Sequence, residues 1–183
     1  MKGVFEAMQC DIILAGFGGQ GILFAGKMLA YIGLLKNKEV SWLPSYGPEM
    51  RGGTANCSVC ISDDPIGFPQ VNHPNLLVVM NQPSYEKFID KVIPGGTVVI
   101  DSTMVPNKCE RNDINVFYVP STQLALDNNV DGMANIILLG KLLGETHIAE
   151  SSEIKQAIKK IVPANRLNLI EANIKAFEIG MKQ

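Results

Sequence analysis

CDIILAGFGGQGILFAGKMLAYIGLL, residues 10–35, decides how the fold is read. Cys10 to Gly16 is apolar apart from Asp11 and ends in glycine, the pattern of a strand buried on both faces. From Gln20 the pattern lengthens into a helix, with Ile22, Ala25, Leu29 and Ile32 recurring at helical intervals and Asn37 as the stop. A buried strand that runs through glycines into a helix opens an α/β domain.

Working outward, EVSWLP, TANCSVCIS, LLVVM, TVVID and NVFYVP read as five further strands. Between LLVVM and TVVID, NQPSYEKFIDKVIPGG carries a helix that starts after Asn81 to Ser84 and stops at Pro94-Gly95-Gly96. Strand, helix, strand is a crossover unit, which joins parallel strands with right-handed chirality. From Asp131 onward the pattern is helical: GMANIILLGKLLG, then SSEIKQAIKKIV with Ser151 or Ser152 as N-cap, then PANRLNLIEANIKAFEIGMKQ. In that last helix Leu167, Ile170, Ile174 and Phe177 form the apolar stripe. No linker or low-complexity stretch divides the 183 residues. The expectation is one domain over residues 1–183, a three-layer α/β/α Rossmann-like fold with a mostly parallel sheet and a helical C-terminal third.

Sixteen Lys and Arg against 18 Asp and Glu give a net charge of −2, with no dense basic run. Nucleic acid and anionic membrane surfaces both call for clustered positive charge and are set aside as main partners. The opening MKGVFEAMQCD lacks the features of a signal peptide, and no apolar run approaches the ~20 residues of a membrane helix, so a soluble, cytoplasmic protein is expected. Charged residues are 19% of the chain, below the usual ~25%. The deficit is read as surface covered by partner subunits, which calls for an exposed apolar patch larger than a few hundred Å².

Gly16, Gly18 and Gly21 have G-x-G-x-x-G spacing between a strand and a helix, with Gly19 and Gln20 inside the loop. Backbone without Cβ atoms can approach a phosphate, and the unpaired amides of a helix start favour an anion. Equally, the glycines can simply make a tight turn and let the helix pack on its strand. The nicotinamide-dinucleotide version of this motif needs an acid about 20 residues on, at the end of the second strand. Glu39 stands at that strand's beginning, and its end offers only Leu43, Pro44 and Ser45. A self-contained reductase is therefore the least favoured reading. A second loop, SYGPEMRGGTANCSV from Ser45 to Val59, holds Tyr46, Gly47, Glu49, Arg51 and Gly52. Its guanidinium and hydroxyls could grip a carboxylate or phosphate, or Glu49 and Arg51 could pair with each other or with a subunit. Carried by neighbouring strand ends of a parallel sheet, the two loops are expected side by side.

Cys57 and Cys60 form a CxxC, but within a strand reading, so their side chains point to opposite faces and cannot close on one metal. All four cysteines are read as ordinary thiols. His73 and His147 are far apart and read as surface histidines; Asp63-Asp64 before Pro65 reads as a turn. No catalytic residue and no metal ligand is assigned.

With these residues in view, GFGGQGILFAGKMLA, SYGPEMRGGTANCSVCISDDPIGFP and VVMNQPSYEKF together closely resemble the gamma subunit of 2-oxoacid:ferredoxin (or acceptor) oxidoreductases, in the family's order and from about Asp11 to the C-terminal helix. The resemblance implies an oxygen-sensitive complex that decarboxylates a 2-oxoacid, passes the acyl group to coenzyme A and reduces ferredoxin or another acceptor. Thiamine pyrophosphate, magnesium and the iron–sulfur clusters would belong to other subunits. Partners would be the alpha and beta subunits, with a delta subunit and self-pairing of the isolated chain left open, and ferredoxin through the complex. The wording of the Ser45 loop is more like the 2-oxoglutarate and branched-chain branches than the pyruvate branch, and 2-oxoglutarate is favoured. On this reading Gly16, Gly18, Gly19, Gln20, Gly21, Ser45, Tyr46, Gly47, Glu49, Arg51 and Gly52 serve a coenzyme A site or a subunit interface, against a purely structural assembly role.

Overall fold

The computed structural model describes residues 9–45 and 54–183. Six strands form one mixed sheet in the order β2-β3-β1-β4-β5-β6. They are β1 Gln9–Phe17, β2 Glu39–Ser45, β3 Thr54–Ser62, β4 Leu76–Val79, β5 Thr97–Asp101 and β6 Asn115–Val119. β1 pairs in parallel with β4, β4 with β5 and β5 with β6, while β3 runs antiparallel to both β1 and β2. β1 is central and buried on both faces: Ile12 and Leu14 point to one core, Ile13 and Ala15 to the other, as period-two alternation requires.

The first core lies under α1 (Ile22–Leu35) and the C-terminal helices. The expected stripe of α1, Ile22, Ala25, Leu29 and Ile32, is buried, and Asn37 turns the chain at φ 53° just beyond it. The second core is smaller and lies under α2 (Gln82–Phe88), which continues into a short 3-10 turn, Ile89–Lys91. Asn81 caps α2 by accepting a hydrogen bond from the Ser84 N–H at 2.8 Å. The parallel pairing of β4 with β5 makes β4-α2-β5 the anticipated crossover. The three layers are uneven, since α2 is the one α-helix of the second core among the described residues.

Three details differ from the sequence reading. α3 (Ser121–Asp127) precedes the expected start of the helical region; its seven residues follow directly on β6 and Pro120, too short a span for a helical period to declare itself. After α4 (Ala134–Thr146) comes α5 (Ser151–Ile161), whose N-cap is Glu150 and neither serine: Glu150 and Glu153 form a reciprocal capping box. In α6 (Leu169–Met181) the buried face is Asn173, Ala176, Phe177 and Gly180, while Leu167 lies before the helix and is 56% exposed. The stripe is rotated because α6 approaches α4 through Gly180 and Gly140, where the two backbones nearly touch.

A Cβ on Gly180 would fall on the Ile137 carbonyl, and neither backbone can yield without parting the two helices. Gly180→Ala is expected to cost about 3 kcal/mol or more, whereas Gly67→Ala, where a Cβ meets nothing within 4 Å, should stay within about 0.5 kcal/mol. Denaturant titration of both variants measures the difference.

Candidate functional site

The turn leaving β1 places the site. Gln20 N–H donates to the Phe17 carbonyl at 3.2 Å, closing a turn with Gly19 at its third position and φ 94°, the geometry that calls for glycine. Gln20 is not a free ligand at the rim. Its Oε1 accepts from the Phe17 N–H at 2.6 Å and its Nε2 donates to the Met80 carbonyl at 3.2 Å. The side chain thus ties the end of β1 to the end of β4, across the point where the chain switches from one half of the sheet to the other.

Gly21 is the N-cap of α1 at φ 74°. Its carbonyl accepts from Ala25 N–H at 3.0 Å and from Asn135 Nδ2 at 2.9 Å, so α4 is pinned to the same turn. A Cβ here would stand 2.5 Å from Asn135 Nδ2. Gly16 is buried beside Ala55 in the β1–β3 ladder, and Gly18 and Gly19 are exposed. The first-turn amides of α1, at Ile22, Leu23 and Phe24, precede any helical carbonyl that could receive them. No side chain caps them and no acid lies in that turn. The positive end of the helix dipole therefore opens at the rim.

Of the second loop, Tyr46, Gly47, Glu49, Arg51 and Gly52 lie outside the described residues; its two anchors do not. Thr54 pairs with Phe17, next to the turn, while Ser45 pairs with Asn56 one strand farther out. β2 does point its C-terminal end to the same edge as β1, but β3 lies between them. Ser45 is thus displaced from the glycine turn by two strand spacings, about 10 Å. It lines a groove on the α2 side of the sheet, together with Asn56, Lys87 and Lys91. The displacement also accounts for the failed dinucleotide pattern: Glu39 sits at the far end of β2, and the strand that should carry a ribose-binding acid is no longer adjacent to β1.

What surrounds the glycine turn is apolar. Three hollows ring it, joined by shared walls at Gly19, Gly21, Phe24 and Gly132. Leu23, Phe24, Leu126, Met133 and Leu169 supply much of the lining, and Arg166 is its one charged side chain among the described residues. Sequence reasoning missed this collar, because its members come from α1, α3, the N-cap of α4 and the first turn of α6 and share no local spacing.

The cysteines behave as the strand reading requires. Cys57 belongs to the core under α1 and Cys60 to the core under α2. Cys57 donates weakly to the Ile22 carbonyl and Cys60 to the Pro69 carbonyl. His73 and His147 are both exposed. Among the described residues no cluster of three or more His, Cys, Asp or Glu could hold a metal ion, and no helix is long and apolar enough to cross a membrane.

The family model for pyruvate ferredoxin/flavodoxin oxidoreductase matches residues 11–183. The chain belongs to the pyruvate ferredoxin/flavodoxin oxidoreductase family. Within the family it is 39% identical to the 2-oxoglutarate synthase subunit KorC of Methanocaldococcus jannaschii, over 94% of this chain and 92% of that one. It is 38% identical to the ketoisovalerate oxidoreductase subunit VorA of Methanothermobacter thermautotrophicus, over 96% of this chain but only 36% of VorA. The gamma subunit of a keto/oxoacid ferredoxin oxidoreductase from Geobacter sulfurreducens has the same fold, with TM-score 0.80, 27% identity and coverage of 94% and 96%. The chain is a gamma-type subunit of a 2-oxoacid:ferredoxin oxidoreductase, as the motif blocks indicated.

Burial raises the thiol pKa of Cys57 to about 12 and those of Cys10 and Cys60 to about 11, with the Asp11 charge adding to the last two. At pH 8 a disulfide reagent should therefore modify the half-buried Cys109 well before the other three, which react only on unfolding. Because the folded state holds these protons more tightly, the stability they confer is complete below the ordinary thiol value of 9. It should be lost as pH rises from there through 11 to 12, which a pH series of thermal melts reads directly.

Proposed function

We propose that this gamma subunit serves a 2-oxoglutarate:ferredoxin oxidoreductase of the cytoplasm. Its glycine turn and the segment between Ser45 and Thr54 would contribute to a coenzyme A site at the border with the catalytic subunits. The observation that carries the reading is the open N-terminus of α1: uncapped amides at Ile22 to Phe24 and no acid in the first turn, with Thr54 paired to Phe17 beside the turn. Phosphate groups are suited to such a terminus. The Ile22, Leu23 and Phe24 amides, with Arg166 and Arg51, would hold the anionic part of coenzyme A, whose thiol accepts the acyl group on another subunit. Gln20, engaged on both sides of its amide, keeps the turn in shape. The relation to KorC supports 2-oxoglutarate as the substrate of the complex. The relation to VorA keeps a branched-chain 2-oxoacid as the second reading. The cluster-bearing and thiamine-binding parts of the reaction would lie on the partner subunits.

In the assembled enzyme, Arg51→Ala should raise the KM for coenzyme A about tenfold, the value of one charge-assisted hydrogen bond, while leaving the KM for the 2-oxoacid and the subunit stoichiometry unchanged. An unaltered KM for coenzyme A removes Arg51 from the site. A 2-oxoacid panel on the same complex should give its highest kcat/KM with 2-oxoglutarate; preference for a branched-chain acid selects the second reading.

A further inference from the structure

We infer that the groove on the α2 side of the sheet is a second anion site, built for the phosphoryl group of a phosphate ester. It stands apart from the α1 amides and Arg166, which belong to the opposite side of the sheet, and it does not depend on the coenzyme A reading.

The groove exists because no helix covers β3 on this side. With Cys57 in the α1 core and Cys60 in the α2 core, alternation turns Asn56, Ser58, Cys60 and Ser62 to the α2 side. That stripe is too polar to seat a helix, and a strap of chain lies on it instead. Ser62 Oγ accepts from the Asp64 N–H at 3.0 Å, Cys60 Sγ donates to the Pro69 carbonyl at 3.8 Å, and Ser58 Oγ accepts from the Val71 N–H at 3.3 Å. Beyond this last bond, toward Asn56 and Ser45, opens a hollow of about 440 Å³, within the size of a small-ligand site.

The lining selects an anion. Lys87 Nζ and Lys91 Nζ each lie 5.4 Å from the centroid of the Phe88 ring, so both charges gather at one wall. Among the described residues no acid lines the groove, and Lys91 forms no ion pair. Like charges held together repel, and a doubly charged anion relieves both at once. Neutral groups complete the set. Ser58 is 8% exposed; its oxygen accepts from Val71, and among the described residues its own proton has no acceptor. Ser45 and Asn56, partners across β2 and β3, add a hydroxyl and an amide. A phosphoryl group brings three strong acceptor oxygens to these donors, while Ile13, Leu43, Pro44 and Phe88 offer apolar surface to the organic part of an ester. The adjoining hollow shares Gln70, Val71 and Asn72 as a wall but holds Asp11 and Asp64, so an anion is turned away there and favoured here.

Isothermal titration of the full chain with pyrophosphate and with ADP is the test. Both should bind saturably at one site, more weakly as salt screens the exposed lysines. Lys87→Ala and Lys91→Ala change exposed side chains and should keep the melting temperature of the parent. Each should weaken binding about tenfold, the value of one charge-assisted hydrogen bond. Lys91→Arg should retain most of the affinity, and Lys160→Ala, on α5 across the sheet, should bind like the parent. Absence of saturable binding by both probes overturns the site, as does affinity that Lys87→Ala and Lys91→Ala leave unmoved. Tighter binding of 2-oxoglutarate than of pyrophosphate also overturns it, since the groove then selects carboxylates. Competition identifies the source of the ester. Displacement of ADP by coenzyme A, with both affinities lowered in Lys91→Ala, assigns it to coenzyme A; ADP that coenzyme A does not displace assigns it to a free nucleotide. Either result sustains the phosphoryl site.

Discussion

How the chain leaves β1 constrains everything at the working edge of the sheet. A strand buried on both faces must turn, within four residues, into a helix lying on only one of them. The turn succeeds because Gly19 and Gly21 adopt positive φ and because the Gln20 amide joins Phe17 to Met80. Asn135 then ties α4 to the Gly21 carbonyl. One turn thereby fixes the relation of β1, β4, α1 and α4, and the collar is the surface they share.

The antiparallel β3 gives the site its character. Inserted between β1 and β2, it moves Ser45 two strand spacings from the glycine turn and brings Thr54 there instead. A parallel dinucleotide fold would have put an acid at the end of the neighbouring strand; here that place is taken by the start of β3. The anion-friendly helix terminus is retained, but it is set among leucine, phenylalanine and methionine. That combination suits a subunit that completes a site at an interface better than an enzyme closing a pocket of its own.

Legibility followed the range of the interactions. The strands declared themselves because their residues are consecutive and β-favouring; TANCSVCIS is β3 residue for residue. Ile22, Ala25, Leu29 and Ile32 marked the buried face of α1 because a helix on a flat sheet buries a regular stripe. In α6 the same reasoning chose Leu167 and Ile174 and missed Asn173 and Gly180, because close backbone approach to α4 rewards the absence of a side chain and no hydropathy pattern encodes that. Glu150 displaced the serines as N-cap through a capping box with Glu153, a pairing that depends on where the preceding turn places the chain.

The sequence by itself determined the α/β class, the glycine turn, the placement of Cys57 and Cys60 on opposite faces and, through its motif blocks, the family. These rest on local periodicity or on residues close together in the chain. Only the tertiary structure decided the antiparallel insertion of β3, the internal engagement of Gln20 and the apolar collar with its single Arg166. Each of these joins residues far apart in the chain, and such contacts are set by how strands pair and helices cross, which no local spacing records.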